Sequence, residues 1–145
     1  TAGMIGGQVV DIESEGKPID AETLEYIHTY KTGHLIQACI RAGAILSQAN
    51  TDQLNALSTY GAHIGLAFQI VDDILDITAD ESLLGKDVGS DLDKEKATYP
   101  ALYGLEESKK KADKLVEDGI ACLKIFDERA DPLREIGRFF VQRTC

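Results

Sequence analysis

The stretch "QIVDDILD" at 69–76 sets Asp72, Asp73 and Asp76 inside an otherwise apolar run. On a helix, Asp72 and Asp76 stand one turn apart on a single face, with Asp73 beside them. A free Asp titrates near about 3.9, so all three carry charge at neutral pH. Like charges at i,i+4 cost a helix about 0.2–0.5 kcal/mol per pair, and Asp is a weak helix former besides. A cation seated between the carboxylates would answer that cost. Magnesium takes oxygen ligands, keeps several waters and commonly joins one or two carboxylates to substrate phosphates. A solvated acidic helix face accounts for the same spacing, although Ile70, Val71, Ile74 and Leu75 surround these acids with apolar neighbours.

Two lysines could serve an anion held there. Lys31 lies in "YKTGH" beside Thr32 and Gly33, and an ammonium next to a hydroxyl and a glycine can reach an oxyanion. Most helix lysines merely solvate a surface. Lys86 sits between glycines in "LGKDVGSD", on a stretch that could close over a ligand, and Lys96 is a weaker candidate of the same kind. Neither fits GxxxxGK[ST], so a P-loop is rejected. Gln8 and Asp11 in "GGQVVD" share a helical face at i,i+3, which suits a lined cavity and a buried hydrogen bond equally well. His28, His34 and His63 show no HExxH or other ligand spacing and read as structural. No Ser-His-Asp or Cys-His arrangement can be built from the residue order.

The elements that must position these groups are helices. A Gly-rich helix is expected over 2–12, its small residues allowing close packing, followed by a turn over 13–20 with Gly16 and Pro18 as breakers. Asp20 is the N-cap expected for a helix over 21–48, bent near Gly33. Asn50 and Thr51 punctuate. A long helix over 52–78 follows, with Leu54, Leu57, Ile64, Phe68, Val71 and Leu75 at helical spacing. The charged, Gly-containing segment 79–100 reads as a surface loop, and Pro100 suits the first turn of a short helix to about 105. An amphipathic helix carries Ala112, Leu115, Val116, Ile120, Leu123 and Ile125, and a last helix over 132–143 follows a break at 130–131. Period-2 alternation is nearly absent, so the fold class is all-α.

Composition narrows the function classes. The 145 residues suffice for one compact domain, and 43% hydrophobic with 28% charged is globular composition. No apolar run approaches the roughly 18–20 residues that span a bilayer, and no signal peptide is visible. Cys39, Cys122 and Cys145 are odd in number with no CxxC pair, which reads as free thiols in a reducing, cytoplasmic compartment. The net charge of −10 argues against nucleic acid, since neutralising phosphates needs clustered Lys and Arg. A small anion is still admissible, because a carboxylate-held divalent metal inverts the local potential. The opening "TAGMIGGQVVDI" has no initiating Met and an apolar pattern already under way, as in a chain entered partway through a helix.

Taken in order, "GGQVVD", "YKTGHLI", "GLAFQIVDDILD", "LGKDVGSDLDKEKATYP" and the closing "FFVQR" resemble the C-terminal half of the trans-isoprenyl diphosphate synthases, the farnesyl and geranylgeranyl diphosphate synthase family. The resemblance covers essentially the whole chain, and "GLAFQIVDDILD" looks like that family's second aspartate-rich motif. It implies an incomplete helical bundle of the isoprenoid synthase type. The implied chemistry is a Mg²⁺-dependent head-to-tail condensation of an allylic diphosphate with isopentenyl diphosphate. By this likeness Asp72 is the principal metal ligand, with Asp73 and Asp76 ligating directly or through water. Lys31 and Lys86 hold the allylic diphosphate, and Thr32 and Gln69 line the reacting centre. Phe68 contacts the isoprenoid, while Gln8 and Arg143 are cavity and second-substrate residues. A homodimer is implied as well.

Part of the family pattern is missing. The first aspartate-rich motif with its arginines, and the upstream GK-R segment for isopentenyl diphosphate, do not occur in this sequence. "DERAD" at 127–131 has acids but follows the second motif. The expectation is therefore a chain that does not turn over substrate by itself. One alternative is a non-catalytic subunit that modulates a complete synthase, against which stand the retained Lys31, Lys86 and three aspartates. Another is a terpene cyclase-like protein, against which stands the "GKDVGSDLDKEKATYP" segment.

Overall fold

The computed structural model describes residues 3–83 and 98–142, the latter part of the first segment by its backbone alone. Among the described residues every regular element is helical, as the missing period-2 pattern predicts. Helix α1 (Met4–Ser14) runs two residues past its expected end before the chain turns through Gly16 at φ +69°. Helix α2 (Ala21–His28) begins where Asp20 accepts the Thr23 N–H at 2.8 Å, the predicted N-cap. That hydrogen bond holds the Asp20 carboxyl below the usual carboxylate range.

The single helix expected over 21–48 is interrupted. A π-helical turn, Thr29–Gly33, separates α2 from α3 (His34–Leu46), so the bend foreseen near Gly33 is a widened turn within a continuous helical path. Asn50 and Gln53 then bond each other's backbone N–H groups at 3.0 and 2.9 Å, a reciprocal cap that launches α4 (Thr51–Leu83). Helix α4 continues five residues beyond the expected 78, taking up the start of the segment read as loop. The remainder of that segment, 84–97, lies outside the described residues.

Thr98 caps the short α5 (Tyr99–Tyr103) through the Ala101 N–H at 3.3 Å, with Pro100 in its first turn and Gly104 at φ +83° ending it. Helix α6 (Leu105–Cys122) tightens into a 3-10 turn at Leu123–Ile125. That early end corrects one expectation. Leu123 is fully buried, but Ile125 is 57% exposed because the chain has left the apolar face of α6. Helix α7 (Asp131–Gln142) completes the described chain.

Helix α4 is the central element, with α3 on one side and α6 on another. Its inner face buries Tyr60, Ile64, Ala67, Ile70, Val71 and Ile74 against Ala112, Leu115, Val116 and Leu123, with Leu24 and Tyr99 closing the end near the acids. Spacings of three and four along α4 give that stripe. Cutting Ile70 or Ile74 to Ala would cost about 2–5 kcal/mol, the usual range for a packed core isoleucine. The apolar neighbours of the aspartates are thus the core itself, and they fix which way Asp72 and Asp76 must face. Among the described residues no helix is long and apolar enough to cross a membrane.

Candidate functional site

A pocket opens between α1, α2, the π-helical turn and α4, with Thr98 at its edge. Helix α4 contributes Gln69, Asp72, Asp73 and Asp76, the π turn Lys31, and α1 Asp11 and Ser14, with Glu15 just past its end. Five carboxylates face a single lysine among the described lining residues. A bare anion has no reason to enter such a space, whereas an anion accompanied by divalent cations does.

The three aspartates do different work. Asp72 and Asp76 are exposed on the outer face of α4, opposite Val71 and Ile74. Asp73 looks inward. Its Oδ2 accepts the Tyr99 backbone N–H at 2.8 Å and lies 3.3 Å from His28 Nε2. His28 is buried and stacks on the Tyr99 ring at a centroid distance of 5.6 Å. Burial pushes the Tyr99 hydroxyl up to about 12, helped by the negative charge of Glu25 and Asp73 and by Tyr103. The Nδ1 of His28 is buried and finds no hydrogen-bond partner among the described residues. His28 read as structural in sequence, and its contact is with the very stretch that carries the acids.

Lys31 donates to Asp11 Oδ2 at 2.6 Å, and both side chains are partly buried, 31% and 19% exposed. Of the two alternatives open for the Gln8–Asp11 pair, Asp11 takes both, lining the pocket and making the bond. Gln8 is exposed on α1 and does not line the pocket. Thr32 is partly buried in the π turn next to Lys31. Phe68 packs edge-on against Phe140 of α7, centroids 5.3 Å apart, outside the pocket lining. Lys86, Lys96 and Arg143 lie outside the described residues. Sequence reading did not foresee Ser14, Glu15 and Thr98 at this pocket, because nothing in their spacing announces it.

Among the described residues no three His, Cys, Asp or Glu side chains converge where a metal ion could sit. The donor set does fit magnesium in its open mode, in which one or two carboxylates hold the ion and substrate phosphates complete the shell. Asp72 and Asp76, one turn apart on α4, are among the lining carboxylates that could hold an ion in that way.

Residues 1–130 match the family described as Polyprenyl synthetase. The chain belongs to the polyprenyl synthetase family. It is 47% identical over 145 residues to a geranylgeranyl diphosphate synthase of Cyanophora paradoxa, covering 99% of this chain and 48% of that protein. It is 43% identical over 147 residues to a farnesyl diphosphate synthase of Escherichia coli strain K12, covering 99% of this chain and 49% of that one. The chain thus spans about half the length of the curated relatives it matches. The fold agrees. A geranylgeranyl pyrophosphate synthetase from Pyrococcus horikoshii superposes with a TM-score of 0.83 at 27% identity, over 97% of this chain and 55% of that one. An FPP/GFPP synthase from Zymomonas mobilis gives 0.78 at 38% identity, over 96% and 45%. The all-α isoprenyl synthase bundle expected from the motifs is the fold of this family member, present as about half of the relatives' length.

Proposed function

We propose that this chain supplies the diphosphate-handling half of a trans-prenyltransferase site, one that joins an allylic diphosphate to isopentenyl diphosphate. The observation that supports this reading most directly is the pocket that Lys31 lines together with five carboxylates, Asp72 and Asp76 among them. The reaction's barrier is charge separation as the allylic C–O bond breaks and negative charge gathers on the leaving pyrophosphate. Bound magnesium would neutralise that growing charge as a Lewis acid.

The chain's own residues do the rest. Asp72 and Asp76 present oxygen donors to the ions. Lys31, released from Asp11, places an ammonium against a non-bridging oxygen of the diphosphate. Asp73 keeps a positioning part, since one of its oxygens is engaged by Tyr99 and His28. Thr32 and Gln69 offer oxygens beside the reacting carbons, and Phe68, Gln8, Lys86 and Arg143 remain proposed substrate contacts by likeness to the family. A homodimeric, cytoplasmic parent enzyme completes the reading. Without the first aspartate-rich motif in this sequence, the isolated chain binds diphosphate but does not condense it.

Isothermal titration of the chain with inorganic pyrophosphate tests this. Binding is expected with Mg²⁺ and lost with EDTA. Lys31→Met and Asp72→Asn should each weaken it by about tenfold, equivalent to about 1.4 kcal/mol. Absence of Mg²⁺-dependent binding, or indifference to both substitutions, overturns the assignment. Product formed from the two diphosphates by the purified chain would overturn the claim of inactivity.

A further inference from the structure

The π-helical turn that carries Lys31 is gripped from two sides by glycines. Gly7 of α1 is buried, and a Cβ there would stand 2.7 Å from Lys31 Cα and from the Tyr30 carbonyl carbon, and nearer still to the Lys31 amide nitrogen. Gly65 of α4 meets the other side, where a Cβ would come within 2.7 Å of Gly33 Cα and 3.0 Å of the Gly33 oxygen. Those neighbours are backbone atoms, which cannot swing aside as the end of a side chain can. Neither glycine has a positive φ, so the requirement is for space.

The two contacts share faces with the pocket. Asp11 follows Gly7 by one turn and holds the Lys31 amine. Gln69 and Asp72 follow Gly65 at i+4 and i+7, on the side of α4 that lines the pocket. A π turn is a one-residue insertion in an α-helix, with poorer hydrogen-bond geometry, and it persists where packing holds it. Relaxation to plain α-helix would turn the residues on either side of it by about 100° relative to one another.

We propose that Gly7 and Gly65 are positioning residues for the diphosphate site. By admitting the π turn between α1 and α4, they set the Lys31 amine at the pocket it shares with Asp11, Asp72 and Asp76, from which it can pass from Asp11 to the diphosphate. The inference rests on the reading of Lys31 as a diphosphate-binding group, and its test separates the two.

The full chain is prepared with Gly7→Ala, Gly65→Ala, Lys31→Met and, as a control, Gly43→Ala on α3, where an added Cβ meets open space. Circular dichroism and melting report folding. NMR of the ¹⁵N-labelled lysine ammonium groups reports the Lys31 amine, assigned by its loss in Lys31→Met. Titration with inorganic pyrophosphate and Mg²⁺ reports the site. Gly7→Ala and Gly65→Ala are expected to keep their helix signal, shift or lose the Lys31 ammonium resonance, and bind pyrophosphate at least fivefold more weakly, while Gly43→Ala matches the parent. A parental Lys31 resonance in both glycine variants overturns the proposal whatever the ligand does. Unfolding of both also overturns it, since the glycines would then serve stability alone. Lys31→Met binding as tightly as the parent sinks the diphosphate reading instead, and the ammonium resonance still decides the role of the glycines.

Discussion

His28 Nε2 stands 3.3 Å from Asp73 Oδ2, the same oxygen that accepts the Tyr99 backbone N–H at 2.8 Å. One carboxylate thus joins α2, α4 and the first residue of α5. Successive helical residues are about 100° apart, so Asp73 turns toward the core edge when Asp72 turns outward. The three aspartates are divided between inside and outside by that rotation.

Removing this joint should be costly to the fold. In Asp73→Ala the Tyr99 N–H loses its acceptor beside a buried ring, a loss of about 1–3 kcal/mol. Asp73→Asn keeps an acceptor oxygen and should lose less than half as much. Urea denaturation midpoints of the two variants check the order. Equal midpoints for Asp73→Ala and the parent would remove the joint from the account.

Tyr60 makes a testable case at high pH. It is 1% exposed, its hydroxyl donates to the Leu133 carbonyl at 2.5 Å, and burial pushes that hydroxyl from the ordinary 10.0 up to about 12. The folded chain therefore keeps a proton that the unfolded chain releases above about pH 10. Stability from this group is complete below pH 10 and is lost as pH rises through about 12, and Tyr99 acts in the same direction. Tyr60→Phe should cost about 0.5–1.5 kcal/mol at pH 7 and make the alkaline decline shallower. Melting temperatures between pH 8 and 11.5 measure both effects.

Arg134 ties α7 to the end of α6. Its guanidinium donates to the carbonyls of Leu123 at 2.8 Å, Phe126 at 2.9 Å and Asp127 at 3.1 Å, and to Asp131 Oδ1 at 2.5 Å. A lysine cannot span these directions with one ammonium. Arg134→Lys is expected to destabilise by about 2–3 kcal/mol and to speed amide exchange in α7 first. Hydrogen-exchange mass spectrometry would reveal whether α7 loosens ahead of α4.

Gly33 invites the opposite result. It lies in the π turn with helical φ −56°, and a Cβ there meets the His28 oxygen at 3.4 Å and the Gly65 carbonyl carbon at 3.8 Å, ordinary contact distances. Gly33→Ala should be neutral or raise stability by up to about 1 kcal/mol, by limiting the unfolded chain. A melting temperature well below the parent's would show that the turn is tighter than these distances allow.

Much of the molecule was legible from local signals. The Asp20 cap, Pro100 in a first turn, and the 3.6-residue stripe of α4 all act within a few residues of themselves, so sequence order exposes them. The motif order led to the family, and the Asp72–Asp76 face followed from helix geometry. The π turn was visible only as a bend near Gly33, because an inserted residue leaves the apolar period almost unchanged over so short a span. Ile125 was misplaced for a related reason: periodicity predicts which face a residue takes only while the helix lasts.

The sequence by itself therefore determined an all-helical chain, the direction of its acidic face and its family. Only the tertiary structure decided which acids meet which partners. Lys31 and Asp11 are 20 residues apart, and Asp73 and Tyr99 are 26 apart. Contacts at such separation depend on how α1, α2 and α4 dock, and docking here turns on two glycines whose missing side chains let backbones touch. An absent atom leaves no periodic trace in a sequence, yet it sets where the lysine stands.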